Sequence, residues 1–518
     1  MSVATADASP RHTDHALLVP LGQFAAQIGL LPALERVPFP MKTIAHSPGE
    51  KLAELAAHIL SGGMHVHELE ASPHPLVQDG TVAQAWGQQC FASASGVSEL
   101  LRAASAESVT VLKAEVRQVM APYRQRLLRD LSPAWLVVDC DLTGLVVSDQ
   151  AMTYEGADFG YMGEVGGVAK GYQFARAQVA GPKEALLLGG FLHGGRTVSV
   201  HCLAELVALV ETELGRPRRR VEAVAQRVAQ AEAEVAALAA AVAARVTPST
   251  RLESQRERAQ AEAARLRSYR DQVAADNAAN PNPRRIILRL DGGFGDAELL
   301  AWLYEQGYDF VVRAHNHRVA ASLREEPGLH WDKISKNGFI AESARPRLGT
   351  CPYPMRLFAC RQWRGEGKAE HWSALVVNPE LAADAWPTRR VGVFYNERQV
   401  AEASIKEGKG IFASRHLPTR HAAGIEVYQE LVLLAQNLVR WFRRQVLGPT
   451  LLAAARVKEL VHIAARSRAL IVGQHDALLL QFAADSPWAG LRVHLRPRVS
   501  YQLWFPFLDE GALKRIGP

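Results

Sequence analysis

The sequence predicts an α/β chain, and three observations carry that expectation. Two apolar runs end in acid, AWLVVDCD at Ala134–Asp141 and IILRLD at Ile286–Asp291, the pattern of buried strands that deliver carboxylates at their C-terminal ends. Between them Val221, Val224, Val228, Ala231, Val235, Leu238 and Val242 recur at alternating three- and four-residue steps, a heptad seam. Ahead of both runs lies a stretch whose apolar periodicity is helical throughout.

At 518 residues the chain is long enough for several hydrophobic cores. Its net charge of +6 is modest, but basic clusters recur at Arg216–Arg220, Arg284–Arg285, Arg389–Arg390, Arg440 with Arg443–Arg444, and Arg492–Arg498. Such clusters suit a polyanion partner. The five cysteines are odd in number and include no C-x2-C pair, which argues against a disulfide framework or zinc site and for a reducing cytosol. Residues 1–16 contain no signal-peptide core, and no apolar run reaches the roughly 18 residues of a membrane span.

Residues 1–15 read as a disordered lead and residues 16–130 as a helical domain. KLAELAAHILSG is its clearest amphipathic segment, closed by Gly62–Gly63 as a C-cap pair. Thr81–Gly87, Gly96–Arg102 and Glu107–Leu128 are its other predicted helices. Such a domain suits DNA binding, and equally a helical cap. AWLVVDCD then opens a core over 131–217, with LTGLVV as its hairpin partner around a turn near Thr143–Gly144. Gly171–Val179 and Ala185–His193 read as two more strands, His201–Leu214 as a helix, and the Gly- and aromatic-rich Tyr154–Gly171 as a loop. Three antiparallel strands followed by a helix open like a ribonuclease-H-type domain.

The heptads break this pattern over Arg218–Asp276. After Thr247–Pro248–Ser249, Leu252, Ala259, Leu266 and Val273 recur every seven residues, predicting an antiparallel coiled-coil hairpin inserted into the fold. Its arginines read as helix formers rather than DNA contacts. The core resumes over 284–314, with IILRLD as a strand, a helix capped by Asp296, and Tyr308–Val312 as the next strand. Residues 315–390 read as a β-rich insertion, with Trp363 and Trp372 as candidates for stacking on an extruded base. Residues 391–447 complete the core, their apolar helix Gly424–Leu447 packing on the sheet. In the C-terminal region, 448–518, a helix at Leu451–Arg468 and a strand at Ala469–Val472 precede a polar tail.

The chemistry concentrates in Phe394–Lys409, FYNERQVAEASIKEGK. Tyr395, Arg398, Glu402 and Lys409 are three, four and seven residues apart, which on one helix sets a carboxylate in line with two cations and a phenol. Arg398 can hold the Glu402 carboxylate ionised, while Tyr395 and Lys409 offer a hydroxyl and an ammonium to an anion along the helix. A carboxylate for metal and cations for phosphate fit phosphodiester chemistry. Gly408 and Gly410 predict that the helix frays before Lys409. Any one of these pairs is an ordinary surface pair worth a few tenths of a kcal/mol. Around a given Glu, the four together have odds of about one in ten thousand at background residue frequencies.

Tyr-x2-Arg-x3-Glu-x6-Lys resembles the signature of the DDE transposases of bacterial insertion sequences in the IS-four superfamily, and in particular the IS-thirteen-eighty group. The resemblance covers roughly Ala134–Leu447. Asp141–Leu142–Thr143 fits the family's Asp-x-Thr, with Asp139 on the same strand face as the alternative first ligand. Arg289–Leu290–Asp291–Gly292–Gly293–Phe294 fits its second pattern. The resemblance implies a ribonuclease-H-like core in which Asp141, Asp291 and Glu402 are catalytic and bind two Mg²⁺ ions, with Mn²⁺ able to substitute. It implies that Tyr395, Arg398 and Lys409 grip DNA phosphates. The partners implied are double-stranded DNA, as terminal inverted repeats and target, and a second copy in a homodimeric DNA complex in the bacterial cytoplasm at the nucleoid. The activity implied is cleavage at element ends, where water frees a 3′-hydroxyl that then attacks a phosphodiester, with no covalent enzyme intermediate. Two alternatives stay open: a nuclease of the same fold without strand transfer, and a domesticated DNA-binding protein without turnover.

Overall fold

A computed structural model of the protein describes residues 10–495, except 43–44, 132–134, 149–152, 164, 182–184, 245–248, 346–347, 364, 366–369, 475–476 and 490. Strand β1 (Arg11–Thr13) precedes helices α1 (Leu18–Gln27), α2 (Leu30–Glu35), α3 (Pro48–Leu60), α4 (Glu68–Ala71), α5 (Gly80–Ala85), α6 (Ala94–Ala103) and α7 (Ala106–Asp130). Strands β2 (Leu136–Val146), β3 (Asp158–Met162), β4 (Gly167–Ala180) and β5 (Ala185–Gly194) lead to α8 (Ser199–Leu214) and two long helices, α9 (Val221–Ala243) and α10 (Thr250–Ala278). β6 (Ile286–Leu290), α11 (Ala297–Glu305), β7 (Asp309–Arg313) and α12 (His317–Arg324) come next. They are followed by β8 (Asp332–Ser335), β9 (Gly338–Glu342), β10 (Arg356–Gln362), β11 (His371–Val377), α13 (Thr388–Asn396) and α14 (Gln399–Ile411). The chain closes with α15 (Ala422–Phe442), α16 (Val457–His462), β12 (Ala469–Gln474), β13 (Ala477–Phe482) and β14 (Arg492–Leu495). Two compact units result: the first is Met1–Leu128, Thr153–Glu155 and Lys406–Pro518, the second Arg129–Met152 and Gly156–Ile405.

The second unit is built on one mixed sheet in the order β3-β4-β2-β6-β7-β11-β10-β9-β8, with β5 also paired to β4. β2, β6 and β7 run parallel to one another, and the remaining pairings are antiparallel. All five residues of β6 are buried, as a strand covered on both faces requires. This topology is consistent with a ribonuclease-H-like core. Two local expectations are corrected. β2 does not turn at Thr143–Gly144, because β4 pairs with it without interruption from Val138↔Val179 to Val146↔Gly171, and Gly144 lacks the positive φ of a hairpin turn. The segment Tyr154–Gly171 is not all loop, since β3 lies within it and pairs with the start of β4. Beyond β7, strands β8–β11 continue the same sheet rather than folding apart from it.

Helices α9 and α10 pack side by side around Val228, Ala231, Ala263 and Leu266. Pro248 lies outside the described residues. At their base, the Arg219 backbone N–H donates to Asn277 Oδ1 at 2.7 Å and Asn277 Nδ2 donates back to the Arg219 carbonyl at 2.9 Å. Arg220 pairs with the buried Asp309 at 2.7 Å and Arg227 with the buried Glu305 at 2.6 Å. Part of the Arg216–Arg220 cluster is therefore engaged in holding the fold, not presented to a polyanion.

In the first unit, α3 starts on a reciprocal cap between Ser47 and Glu50, with Pro48 in its first turn. The apolar helix α15, expected on the catalytic sheet, belongs instead to this unit's core. Trp441 packs on Phe24 and Tyr123 with ring centroids 5.2 and 5.4 Å apart. From Gly424 to Phe442 nearly every residue is buried, the polar Gln429, Glu430, Gln436, Asn437 and Arg440 included, so this helix is covered on every side. Two more expectations fail here. Residues Arg11–Thr13, read as part of a disordered lead, form β1, and the polar tail contains β13 and β14, which with β1 and β12 make a four-stranded sheet. Leu451–Arg468 is not one helix but two 3₁₀ turns around the short α16.

Glu54, on α3, is fully buried and accepts a hydrogen bond from the Ala92 N–H at 2.8 Å, while its Oε1 has no partner. Burial pushes its carboxyl up to about 8, with the Ala92 hydrogen bond pulling the other way. The folded chain thus keeps a proton that the unfolded chain gives up. Stability from this group is complete below pH 4.5 and is lost as pH rises to about 8. Glu54→Gln should flatten this fall, by roughly 2–4 kcal/mol between pH 5 and 8; equal pH dependence of Tm in both proteins would refute a buried neutral Glu54. Replacing Leu238–Arg258, beyond the packed layer of α9 and α10, with a short linker should leave a cooperative melt and unchanged strand content by circular dichroism. Loss of either would show that the helical tip supports the sheet.

Candidate active site

Asp141 and Asp291 meet because β2 and β6 are parallel neighbours. Their pairing ends at Asp139↔Arg289, and two residues further on each chain reaches an aspartate. Asp291 Oδ1 accepts a hydrogen bond from the Gly293 N–H at 2.9 Å, the cap of a 3₁₀ turn. Gly293 lies so close to Ser199 that a Cβ there would stand 2.3 Å from its Oγ, which is why no side chain follows Asp291 at this point. Burial raises the Asp291 carboxyl above the usual range and the Asp141 charge adds to this, while Arg398 and the Gly293 N–H oppose it.

Asp139 is differently placed. Arg289 Nε and Nη2 reach its two oxygens at 2.7 and 2.8 Å, with both side chains at most 2% exposed. Both oxygens are therefore occupied by a planar, bidentate partner. The third arm of the same guanidinium donates from Nη1 to the Phe394 carbonyl at 3.1 Å and so ties α13 to the two strands. The Arg-x-Asp spacing was visible in the sequence, but the role of Arg289 in fixing Asp139 was not.

The segment 394–409 is not a single helix. α13 ends at Asn396, Glu397 and Arg398 form a turn, and α14 starts at Gln399. From the turn, Arg398 places Nη2 3.1 Å from Asp141 Oδ2 and Nη1 4.0 Å from Glu402 Oε1. Although burial works against its charge, Asp141 and Asp291 hold Arg398 firmly cationic, and its buried Nε has no partner among the described residues. Tyr395 donates its hydroxyl to the Leu290 carbonyl at 3.3 Å, and burial pushes its phenol up to about 12. Glu402 is 55% exposed on α14. That helix continues through Lys409 to Ile411 rather than fraying, because Gly408 packs against Gln436 of α15 and tertiary contact overrides its weak propensity. Lys409 belongs to the first unit, whereas Asp141, Asp291, Tyr395, Arg398 and Glu402 come together in the second.

Two further contributors went unread in the sequence. Arg176, opposite Asp141 on β4, is buried and donates to Ser404 Oγ on α14 at 2.8 Å. A cavity of about 260 Å³ is lined by Asp291, Tyr395, Arg398 and Glu402 together with Arg313, Arg361 and His371. Arg361 lies over the rings of Trp331 and Phe339 at 4.6 and 4.9 Å. Of the two tryptophans singled out earlier, Trp363 is 48% exposed, while Trp372 packs edge-on against Trp331. Arginines inside strands carry no periodic signal that separates them from surface arginines.

Among the described residues, no three His, Cys, Asp or Glu side chains stand close enough to hold a metal ion. Asp141 and Asp291 nevertheless repel each other, with Arg398 as their nearest counter-charge. Two crowded carboxylates with an excess of negative charge suit a hard divalent cation, which takes one or two carboxylates and completes its shell with phosphate and water.

The buried Asp139–Arg289 pair yields a prediction. Arg289→Ala should destabilise the protein by about 3–5 kcal/mol by leaving a buried carboxylate unpaired, and adding Asp139→Leu should recover much of the loss. Urea melts of the three proteins measure this; a loss below 1 kcal/mol for Arg289→Ala would contradict the pairing.

The family model described as Transposase DDE domain group 1 matches residues 252–500, just under half the chain, a span that includes Asp291 and Glu402 and leaves out Asp141. A comparison with curated proteins finds no match. No helix among the described residues is long and apolar enough to cross a membrane. The family match supports a DDE transposase, an enzyme class that acts on DNA and generally uses divalent metal ions.

Proposed function

We propose that the chain is a transposase of the IS-four superfamily, in the IS-thirteen-eighty group, that cleaves DNA at insertion-sequence ends and joins those ends to target DNA. One observation carries the reading: two aspartates just past the end of the parallel β2–β6 ladder, Asp141 in the middle of β2 and Asp291 directly after β6, with an arginine between Asp141 and a glutamate on the next helix. Asp141, Asp291 and Glu402 would hold Mg²⁺, as two ions, with Mn²⁺ as a substitute. When bound, such ions activate the attacking oxygen and stabilise the leaving one. Both Asp139 oxygens are engaged by Arg289, which favours Asp141 as the first ligand.

Arg398 steers Asp141 and Glu402 with its planar fork and adds its positive charge beside a bound phosphate. Tyr395 fixes the Leu290 carbonyl, and with it the approach to Asp291, at the cavity where DNA would lie. Lys409 contacts phosphate from the far end of α14. Residues 16–130 form the DNA-binding domain, 218–276 the inserted coiled-coil arm, and 315–390 the β-rich insertion, with the exposed Trp363 for stacking on an extruded base; Trp372, packed against Trp331 and under Arg324, is already covered. The core parts are 131–217, 284–314 and, of 391–447, the portion that precedes α15. Terminal inverted repeats and target DNA are the partners, a homodimer assembles on the two ends, and the location is cytoplasmic at the nucleoid.

Cleavage of a labelled duplex containing the chain's own element end tests this. Asp141→Ala, Asp291→Ala and Glu402→Ala should abolish cutting while leaving DNA binding largely intact. Arg398→Lys should slow cutting about ten- to hundredfold, the loss of a charge-assisted contact of roughly 1.5–3 kcal/mol. Cutting by Asp141→Ala but not by Asp139→Ala would move the first ligand to Asp139, and wild-type rates for Arg398→Lys would remove the arginine from the chemistry. Cutting without joining of a 3′-hydroxyl end to a second duplex would favour the nuclease reading.

A further inference from the structure

Strands β8 to β11 carry an in-register row that the proposed chemistry does not use. Lys333 stands opposite Phe339, Phe339 opposite Arg361, and Arg361 opposite Trp372. Directly opposed residues share a face, so cation and aromatic ring alternate across four strands. Ile340, Phe358 and Leu375 alternate onto the other face, where they pack with Val391 and Phe394 of α13. The row therefore lies on the face turned away from α13. Its two strand cations are two strands apart, roughly 10 Å.

The way these cations are held sets the face apart. The Arg361 guanidinium lies 4.6 Å from the Trp331 ring and 4.9 Å from the Phe339 ring, and that of Arg324 lies 5.4 Å from the Trp372 ring. Lys333 is exposed. Among the described residues none of the three forms an ion pair with a carboxylate, and the buried Nε of Arg361 has no hydrogen-bond partner. Asp332 alternates onto the other face, while Glu325 and Glu370 lie just beyond the ends of their elements. By contrast Arg356, on the same strand as Arg361, is closed against Glu342 at 2.7 Å. A ring steadies a guanidinium through its quadrupole and leaves the charge and the N–H edge available. The rings, already covered by the arginines, offer no pocket to a peptide side chain. What the face presents is uncompensated charge along a line, which suits a polymer charged at every unit.

We propose that this row is a backbone contact to DNA: Lys333, Arg361 and Arg324 take phosphates, and Phe339, Trp331 and Trp372 hold the two guanidiniums in place for them. This rests on the reading of the chain as a DNA-cutting transposase. Contacts of this kind position a duplex without reading its sequence.

Binding of the full chain to a fluorescein-labelled 40-bp duplex of arbitrary sequence, followed across a salt series, tests this. Lys333→Ala and Arg361→Ala should each bind about five- to tenfold more weakly and lower the salt slope by about one, and the double variant by about two. Arg361→Lys, which keeps the charge, should retain the wild-type slope. Lys333 is exposed, so its variant stays informative if Arg361→Ala does not fold. In a separate variant, p-benzoylphenylalanine in place of Lys333 should photocrosslink to the labelled strand. Wild-type slopes in Lys333→Ala and in the double variant would overturn this contact and leave the transposase reading standing. Weaker binding with an unchanged slope would reduce the row to a structural role and overturn it equally. A chain-to-chain crosslink in place of the DNA one would assign the face to a second copy, and absence of DNA binding by the wild type would overturn both readings.

Discussion

The buried ion pair between Asp139 and Arg289 holds together everything that the site needs. It lies at the last residue pair of the β2–β6 ladder, immediately before both strands deliver an aspartate. Because Arg289 also donates to the Phe394 carbonyl, one guanidinium fixes the spacing of two strands and the seating of α13. A pair so deeply buried adds little net stability over an apolar equivalent, yet removing one partner is expensive. Its contribution is registry: slippage of β6 against β2 would separate the aspartates and strand a charge in the core at the same time.

Around this anchor the charges are arranged in a gradient of burial. Asp139 is closed off, Asp291 is half-buried with its Oδ1 engaged by the Gly293 N–H, and Glu402 is largely open. Arg398 links the inner acids to the outer one from a turn, where its side chain is free of helix geometry. The site is therefore assembled around a cation already in place, and a divalent ion held there would share the carboxylates with Arg398.

Much of this was legible in the sequence, and for physical reasons. Ile286–Leu290 and Leu136–Asp141 announced themselves because a strand buried on both faces must be apolar without interruption. The heptads of α9 and α10 were legible because a narrow packed seam imposes its period. β3 was not, because its aromatics face outward between glycines and mimic a loop. The break at Glu397–Arg398 was hidden because both residues are good helix formers, and no proline or glycine marks the turn. α15 looked like a helix for the catalytic sheet because its strong apolar content shows that a helix is covered, but not by which core. Arg176 and Arg289 were invisible as structural residues because an arginine's burial is decided by a carboxylate or hydroxyl distant in sequence.

The turn between α13 and α14 sets a limit on how this segment can change over time. Each residue of an α-helix advances the side chains by about 100° around its axis. A single insertion or deletion at Glu397–Arg398 would leave α13 tied to Arg289 through the Phe394 carbonyl but rotate α14 and swing Glu402 to another side of the helix. Substitutions elsewhere in the segment alter one contact at a time, whereas a change of length here separates Tyr395 from Glu402 in one step. Descendants of this chain can vary the composition of the segment far more readily than its count of residues.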